Sequence, residues 1–347
     1  MTETIKEIEE IIGFDALYES MMKCARNVRW KSTTGYYLHN WLHEIPILEK
    51  DLKCGTYRER KPKFFDITEP KARTIMSIHF RDRIYIRSLN DNGIYPQVAK
   101  SFILDNYARQ KGKGTEKARN RMRDFLRAFH RKNGRNGYIL KIDIKGYYPN
   151  MDHKFVKSML KEYLDDEVYR LACGVIDFHP GEIGFNPGDQ TIQNVGITAL
   201  DKIDHYIKER LRIKYYIRYM DDFILMHEDK RYLESCLLKI IERLEAQGMR
   251  IHEKKTFIQP VSQPIVFLGF KYILTENGKV VILVDPKKIK HEKRKIKRMV
   301  KLVAAGKLKK HDVDVHFKAY KASVRYGNSN RLIYRLNRWY EDLWREQ

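Results

Sequence analysis

Two adjacent aspartates interrupt one of the most apolar stretches of this sequence. Asp221 and Asp222 stand in the run Tyr215–Met226, YYIRYMDDFILM, with apolar residues on both sides. An ordinary polar turn at the tip of a hairpin explains one Asp well, because turns accept Asp, but it explains two poorly. Neighbouring carboxylates repel each other, so the pair predicts a bound cation.

A third acid, Asp143, closes a second apolar run, Tyr138–Ile142. Runs of this kind are typical of strands in a sheet that helices cover. Carboxylates at the ends of two such strands are held rigidly, and their oxygens are the ligands that Mg²⁺ prefers. The three acids therefore predict a site for two magnesium ions, one activating an attacking hydroxyl and one stabilising the leaving phosphate.

The elements that must position these acids can be outlined from hydrophobic periodicity. The pattern around Tyr36–Lys50 predicts a helix that ends near Pro46, because proline interrupts helices. Further helices are predicted within residues 5–21, 109–135, 233–247 and 287–310, and a late hairpin within 265–284.

Other short motifs surround the acids in a fixed order. They are Pro70–Ile75 with Phe80–Arg83, Lys113–Thr115, Gly184–Gly188 running on to Asp204, Gln247–Thr256, and Phe267–Phe270. Asp143 and YMDD resemble motifs A and C of the reverse transcriptase palm, and the others resemble the fingers motifs and motifs B, D and E. Over about residues 50–275, the chain is similar to prokaryotic reverse transcriptases, which are RNA-directed DNA polymerases.

This resemblance implies an α+β fold, that of a right-hand polymerase with fingers, a palm of antiparallel sheet packed on helices, and a helical thumb. It divides the chain into an N-terminal helical extension at residues 1–60, fingers and palm at 61–275, and a thumb at 285–347.

The resemblance also assigns site residues. The catalytic acids are Asp143, Asp221 and Asp222, and the metal ligands are these three with Ile144. The implied cofactor is a pair of Mg²⁺ ions, with Mn²⁺ as the alternative. The nucleotide-binding residues are Lys71, Arg73, Tyr148, Gly188 and Lys255. The nucleic-acid-binding residues are Lys113, Gln193, Phe267, Gly269, Lys293, Arg294 and Lys297.

Several of these roles have simpler alternatives. Tyr148 matches the aromatic residue that excludes a sugar 2′-hydroxyl, but it is also a candidate for plain core packing. Lys71 and Arg73 match residues that clamp the triphosphate, but they could belong to the solvated basic surface.

Gly188 would allow backbone to approach the template closely, or is an ordinary turn glycine. Lys255 would protonate the leaving pyrophosphate, a role for which Lys254 competes.

The charge balance predicts a polyanionic partner. Lys and Arg number 68 against 45 Asp and Glu, a formal net charge of +23. Residues 287–310 alone hold twelve Lys or Arg and one acid, which favours a phosphate backbone alongside. The four cysteines form no CxxC pair, and no apolar stretch is long enough to span a membrane. We expect a cytoplasmic protein that does not bind membranes.

Among reverse transcriptases, the resemblance is to the compact diversity-generating retroelement, retron and phage-defence types. The implied partners are an RNA template, the nascent cDNA, a structured non-coding RNA, and an accessory protein or oligomer. Two alternatives stay open at this stage. One is a nucleic-acid-binding subunit on a polymerase scaffold, against which the intact acids argue, and the other is an RNA-templated RNA polymerase, against which Tyr148 argues.

Overall fold

A computed structural model describes residues 8–67, 73–186 and 188–345, without the side chain of Arg73. The helices are α1 Phe14–Ala25, α2 Ser32–His39, α3 Trp41–Lys53, α4 Phe80–Ser88, α5 Tyr95–Val98, α6 Thr115–Asn133, α7 His153–Lys161, α8 Asp166–Asp177, α9 Gln190–Thr198, α10 Asp201–His205, α11 Lys230–Ala246, α12 Pro286–Ala304, α13 Lys310–Val324 and α14 Asn330–Arg345. The strands are β1 Lys63–Ile67, β2 Arg73–Ser77, β3 Tyr138–Asp143, β4 Tyr215–Tyr219, β5 Asp222–His227, β6 Phe257–Pro260, β7 Ile265–Phe267, β8 Phe270–Leu274 and β9 Val280–Val284.

The described strands form three sheets. The β1–β2 pair is antiparallel, with Phe65 opposite Ile75, and so is the β7–β8–β9 meander. The four-stranded sheet has the order β4-β5-β3-β6 and contains both apolar runs of the sequence. Antiparallel sheets among many helices confirm the predicted α+β fold.

The chain divides into two compact units. The first consists of residues 1–114, 141–223 and 235–257, and the second of residues 115–140, 224–234 and 258–347. All three candidate catalytic acids fall in the first unit. The division into extension, fingers and palm, and thumb stays a prediction.

In the first unit, the helices before residue 60 share a hydrophobic core with α4. Leu17 and Met21 from α1, Ile45 and Leu48 from α3, and Ile84 from α4 are completely buried together. In the second unit, α6 packs against β8 and β9. Its apolar face includes Met122 and Phe129, as the periodicity predicts.

The predicted helix end at Pro46 is wrong. Pro46 lies inside α3, and the break comes earlier, at Asn40, between α2 and α3. Proline costs a helix a hydrogen bond and creates a clash. Ile45 and Leu48, on either side of Pro46, are fully buried, so we infer that tertiary packing outweighs that cost.

Candidate active site

The three acids lie at or next to the ends of strands in the four-stranded sheet. Asp143 is the last residue of β3, and Asp222 is the first residue of β5. Asp221 belongs to the two-residue turn that joins β4 to β5. The hairpin geometry therefore fixes the direction of two carboxylates through one short turn.

This turn has an unusual backbone. Met220, its first residue, has a φ of 55°. Two-residue hairpin turns use positive φ at this position because it matches the twist of the strands, and Gly, Asn or Asp usually supply it. In a methionine, the left-handed conformation costs on the order of 1 kcal/mol, so surrounding contacts must stabilise it.

A buried ion pair provides such a contact. Arg218, in β4, is completely buried and donates from Nε to both carboxylate oxygens of Asp204, at 2.7 and 2.9 Å. Its Nη1 donates to the backbone carbonyl of Met220 at 3.0 Å, and its Nη2 to that of Ile197 at 3.0 Å. The hydroxyl of Tyr216 also donates to Asp204. The guanidinium thus ties the turn that bears the acids to the helical segment behind it.

Arg218 was not among the residues predicted from the sequence. A signal was present, because an arginine inside the apolar run before the two aspartates cannot be buried without a partner. The partner, Asp204, is 14 residues earlier in the chain. Only the tertiary structure shows that they meet.

Lysine ammonium groups form ion pairs with two of the acids and balance their negative charges. Lys255 Nζ lies 2.7 Å from Asp143 Oδ1, and Lys141 Nζ lies 3.1 Å from Asp222 Oδ1. Burial raises the pKa of Asp222 to about 6, with Lys141 opposing the shift and the charges of Asp221 and Asp143 adding to it. Asp143 and Asp221 are therefore close enough to Asp222 to destabilise its ionised form.

The donor set fits hard divalent cations. The acids offer carboxylate oxygens, which suit Mg²⁺, and their charges are balanced by two lysines. In the ranges that the structure describes, no three His, Cys, Asp or Glu side chains are grouped as metal ligands. Lys255 and Lys141 each engage a carboxylate oxygen that a metal would need. Metal binding thus requires these carboxylates to exchange a lysine contact for the ion.

Asp222 gives a prediction for the metal-free protein. Its folded pKa of about 6 lies above the ordinary value of 3.8, so the folded state holds this proton more tightly than the unfolded chain. The resulting stabilisation is complete below about pH 4 and is lost as the pH rises through 6. We expect Asp222→Asn, measured by chemical unfolding in EDTA, to raise the free energy of unfolding by up to about 3 kcal/mol at pH 8. At pH 4 the variant should match the wild-type chain, and a destabilised variant at pH 8 would contradict this reading.

Tyr148 lies beside the acids. Its hydroxyl is buried without a hydrogen-bond partner, and Asp221 is among the charges that raise its pKa after burial, which is the largest cause. The ring packs on Gly196 of α9, where an added Cβ would be 2.6 Å from the Tyr148 hydroxyl. Gly196 is a second residue that the sequence analysis missed. A glycine inside a helix is the signal, since it often marks a close approach.

Gly188 has a neighbour within the protein. A Cβ at this position would lie 2.3 Å from the backbone oxygen of Met76 in β2. Close backbone packing therefore requires glycine here, independently of any template. Gly188 and Gln193 both line a cavity of about 570 Å³ in the first unit. Six cations also line it, namely Lys23, Arg26, Arg83, Arg87, Arg109 and Lys111.

Two residues predicted to bind nucleic acid have side chains engaged within the protein, and their predicted role stays a prediction. Lys113 Nζ donates to the carbonyls of Ile103, Leu104 and Asn106, at 3.3, 2.8 and 2.8 Å. An ammonium group has three donors, so none is left for a phosphate. The side chain of Phe267 is completely buried in the second unit and cannot contact a nucleic acid as placed. The local patterns carried no information about either burial.

The other predicted residues occupy varied positions. Gly269 has a φ of 80° in the turn between β7 and β8. Lys293, Arg294 and Lys297 project from α12 around a cavity of about 500 Å³, and Lys293 Nζ lies 4.6 Å from the ring centre of Trp339. Lys71 lies outside the described residues, as does the side chain of Arg73.

With this geometry established, comparison with known proteins gives one family match. Residues 194–272 match the family model "Reverse transcriptase (RNA-dependent DNA polymerase)". The matched segment is similar to part of a reverse transcriptase domain, and reverse transcriptases are nucleotidyltransferases. It contains Asp221 and Asp222 and covers less than a quarter of the chain. Enzymes with this domain generally use divalent metal ions such as Mg²⁺. No curated protein matches the sequence.

Solved structures of telomerase are similar in part. The structure from Candida albicans, in complex with a fragment of telomeric RNA, is 12% identical with a TM-score of 0.48, and the match covers 66% of this chain and 46% of that one. An apo structure from Candida tropicalis, truncated from its C-terminal domain, is 12% identical with a TM-score of 0.46, and the match covers 68% of this chain and 58% of that one. The chain spans about half the length of these proteins. Because the scores are below 0.5, we infer nothing further from them.

Proposed function

We propose that this chain is an RNA-directed DNA polymerase that adds deoxynucleotides to a primer hydroxyl or to another priming group. The observation that carries the proposal is that Asp143 and Asp221 lie close enough to Asp222 for their charges to raise its pKa, after burial as the largest cause. Those acids lie at strand ends, two of them in a segment that matches reverse transcriptases.

The proposed chemistry assigns the acids as metal ligands. Two Mg²⁺ ions, or Mn²⁺, would activate the attacking hydroxyl and neutralise the triphosphate. Asp143 and Asp221 would hold both ions, with Asp222 and the backbone at Ile144 completing the protein's contribution. The strands and the two-residue turn keep the carboxylates fixed, so little reorganisation is needed during the reaction.

Lys255 is the better placed of the two candidate proton donors. Its ammonium is 2.7 Å from Asp143, whereas no contact with the acids is found for Lys254. We assign to Lys255 the neutralisation of Asp143 in the free protein and proton donation to the leaving pyrophosphate.

Tyr148 is proposed to select the sugar, and this is testable. Tyr148→Val should raise kcat/KM for rNTPs relative to dNTPs, by one or more orders of magnitude, because the ring no longer fills the space beside the 2′-position. Tyr148→Phe is the matched control. It keeps the ring and loses only the unpartnered hydroxyl, so it should retain the wild-type ratio. An unchanged ratio in the Val variant would show that Tyr148 is only a packing residue.

The basic face of α12 is proposed to lie along the template–primer backbone. Replacing Lys293, Arg294 and Lys297 with Gln should weaken binding equally across unrelated sequences, because phosphate contacts do not read bases. The slope of log K against log salt should flatten by about one unit per lost contact. Exposed Lys154, Lys161 and Lys239, replaced together, provide the charge-matched control. Equal slopes for the two triple variants would contradict the assignment.

We further propose a cytoplasmic role in a diversity-generating retroelement or an antiphage defence system, with a structured RNA as partner. The compact set of motifs supports this choice. Sequencing the nucleic acid that copurifies with the full chain tests it. We expect a cDNA copied from one RNA that is encoded next to the gene of this protein. Random cellular RNA without cDNA would contradict the proposed role.

A further inference from the structure

A small cavity lies in the N-terminal part of the first unit, among residues with no part in the proposed chemistry. Its volume is about 290 Å³, and it is lined by Ser32, Thr33, Tyr36, Tyr37, Arg60 and His79. Four of these side chains have hydroxyl groups, one is a guanidinium and one an imidazole. The lining contains no carboxylate. The side chains that face this cavity are therefore rich in hydrogen-bond donors, although the Tyr36 hydroxyl already donates to Glu44.

The Arg81 backbone N–H and the Arg60 guanidinium both face the imidazole ring of His79. His79 Nδ1 is 3.3 Å from the backbone nitrogen of Arg81, as the cap of α4, and His79 Nε2 is 3.3 Å from Arg60 Nη1. A neutral imidazole has only one acceptor nitrogen. Burial, and then Arg60, lower the pKa of His79, which favours this neutral form. With Nδ1 capping the helix, Nε2 carries a proton and faces the guanidinium, and an anion that accepts a hydrogen bond from both groups would relieve the opposition.

A third donor is buried without a partner. Only 2% of Tyr37 is exposed, and its hydroxyl makes no hydrogen bond. Buried hydroxyls without partners are uncommon because they lose their contact with water and gain nothing in return. Burial raises the pKa of Tyr37 to about 12, and the charge of Glu44 adds to the shift. Because Tyr37 also lines the cavity, a ligand held there is an acceptor for its hydroxyl in addition to Glu44.

The start of α2 adds further donors. This helix begins at Ser32, and its N-cap residue, Lys31, makes no side-chain capping bond. The first backbone N–H groups of a helix lack partners within the helix and favour anions. The nearby acids are already engaged. Glu44 accepts from the hydroxyl of Tyr36 at 2.9 Å, and Asp82 accepts from Tyr57 and from the backbone nitrogen of Arg60.

We infer that this cavity, which we call the Tyr37 pocket, binds a phosphate group, and that the group belongs to the backbone of single-stranded RNA. Tyr36 stands at its rim with 52% of its surface exposed, and Trp30 nearby in the chain is 79% exposed. Exposed aromatic rings beside cations are platforms on which unpaired bases stack. The choice of RNA rests on the proposed function, whereas the phosphate site itself rests on the donors alone.

The test measures RNA binding separately from polymerisation. The full chain is titrated with a fluorescent single-stranded oligoribonucleotide, and anisotropy is recorded over a range of salt concentrations. Arg60→Gln should weaken binding about tenfold and flatten the salt slope by about one unit. Arg58→Gln is the matched control, because the Arg58 guanidinium bonds to the carbonyls of Gly55 and Tyr57 and does not line the pocket.

Tyr37→Phe separates ligand binding from structure. The substitution removes only the unpartnered hydroxyl, so it should leave the melting temperature equal or higher while weakening RNA binding several-fold. Unchanged RNA affinity in both Tyr37→Phe and Arg60→Gln would overturn the RNA assignment.

Inorganic phosphate tests the site alone. Compared with chloride at equal ionic strength, it should raise the melting temperature of the wild-type chain and not that of Arg60→Gln. Equal shifts in both proteins would overturn the phosphate site. Loss of dNTP incorporation has no bearing on these readouts, so failure of the proposed function is distinguishable.

Discussion

Asp221→Asn should reduce dNTP incorporation by about three orders of magnitude or more. The amide keeps the shape of the side chain but loses the negative charge that would hold a divalent cation. Metal ions supply several kcal/mol of charge stabilisation in such reactions, and each 1.36 kcal/mol corresponds to a factor of ten in rate. Single-nucleotide extension of a saturating template–primer measures the loss.

The same variant should fold normally and bind RNA with near wild-type affinity, because Asp221 lies in a surface turn rather than in the core. Asp166→Asn, at an exposed position on α8, is the control for removing one carboxylate and should retain full activity. Near-normal incorporation by Asp221→Asn would show that the acids at this turn are not the catalytic acids.

Arg218→Met should destabilise the protein by about 3–5 kcal/mol, the usual cost of leaving one member of a buried ion pair without its partner. Asp204 would keep its charge in a fully buried position, with only the hydroxyl of Tyr216 left among its charged and polar side-chain partners. Chemical unfolding measures this loss. Arg218→Lys should recover part of the stability, since it restores a charge but not the forked geometry.

A combined variant tests whether Arg218 also positions the turn. Replacing Arg218 with Met, Asp204 with Leu and Tyr216 with Phe removes the buried charges and the hydroxyl together, so stability should largely return. The carbonyl of Met220 would still lack its donor. We therefore expect kcat to stay reduced, with a weakened response to Mg²⁺. Full activity in this stable variant would limit Arg218 to a structural role.

The sequence was most informative where chemistry and local pattern coincide. Apolar runs predicted β3 and the β4–β5 hairpin. The acids were then recognised as candidate site residues, because a carboxylate within an apolar run is costly to bury without a partner. The separate roles of the three acids were assigned from the family resemblance and not from periodicity.

What the sequence could not supply was solvent exposure and long-range pairing. Lys113 sits in a basic loop that resembles a nucleic-acid contact, yet its donors bond to backbone carbonyls. Arg218 and Gly196 act through Asp204 and Tyr148, partners that no local window contains. Pro46 shows the same limit, since burial on both sides of it overrides its local preference.

The central claim is that this chain copies RNA into DNA at the site formed by Asp143, Asp221 and Asp222. The most direct measurement is extension of a DNA primer on an RNA template of defined sequence, with Mg²⁺ and dNTPs, followed by sequencing of the product. We predict a complementary DNA that is lost in EDTA and in Asp221→Asn. Bound template–primer with no extension, or a product built from rNTPs in preference to dNTPs, would contradict the claim.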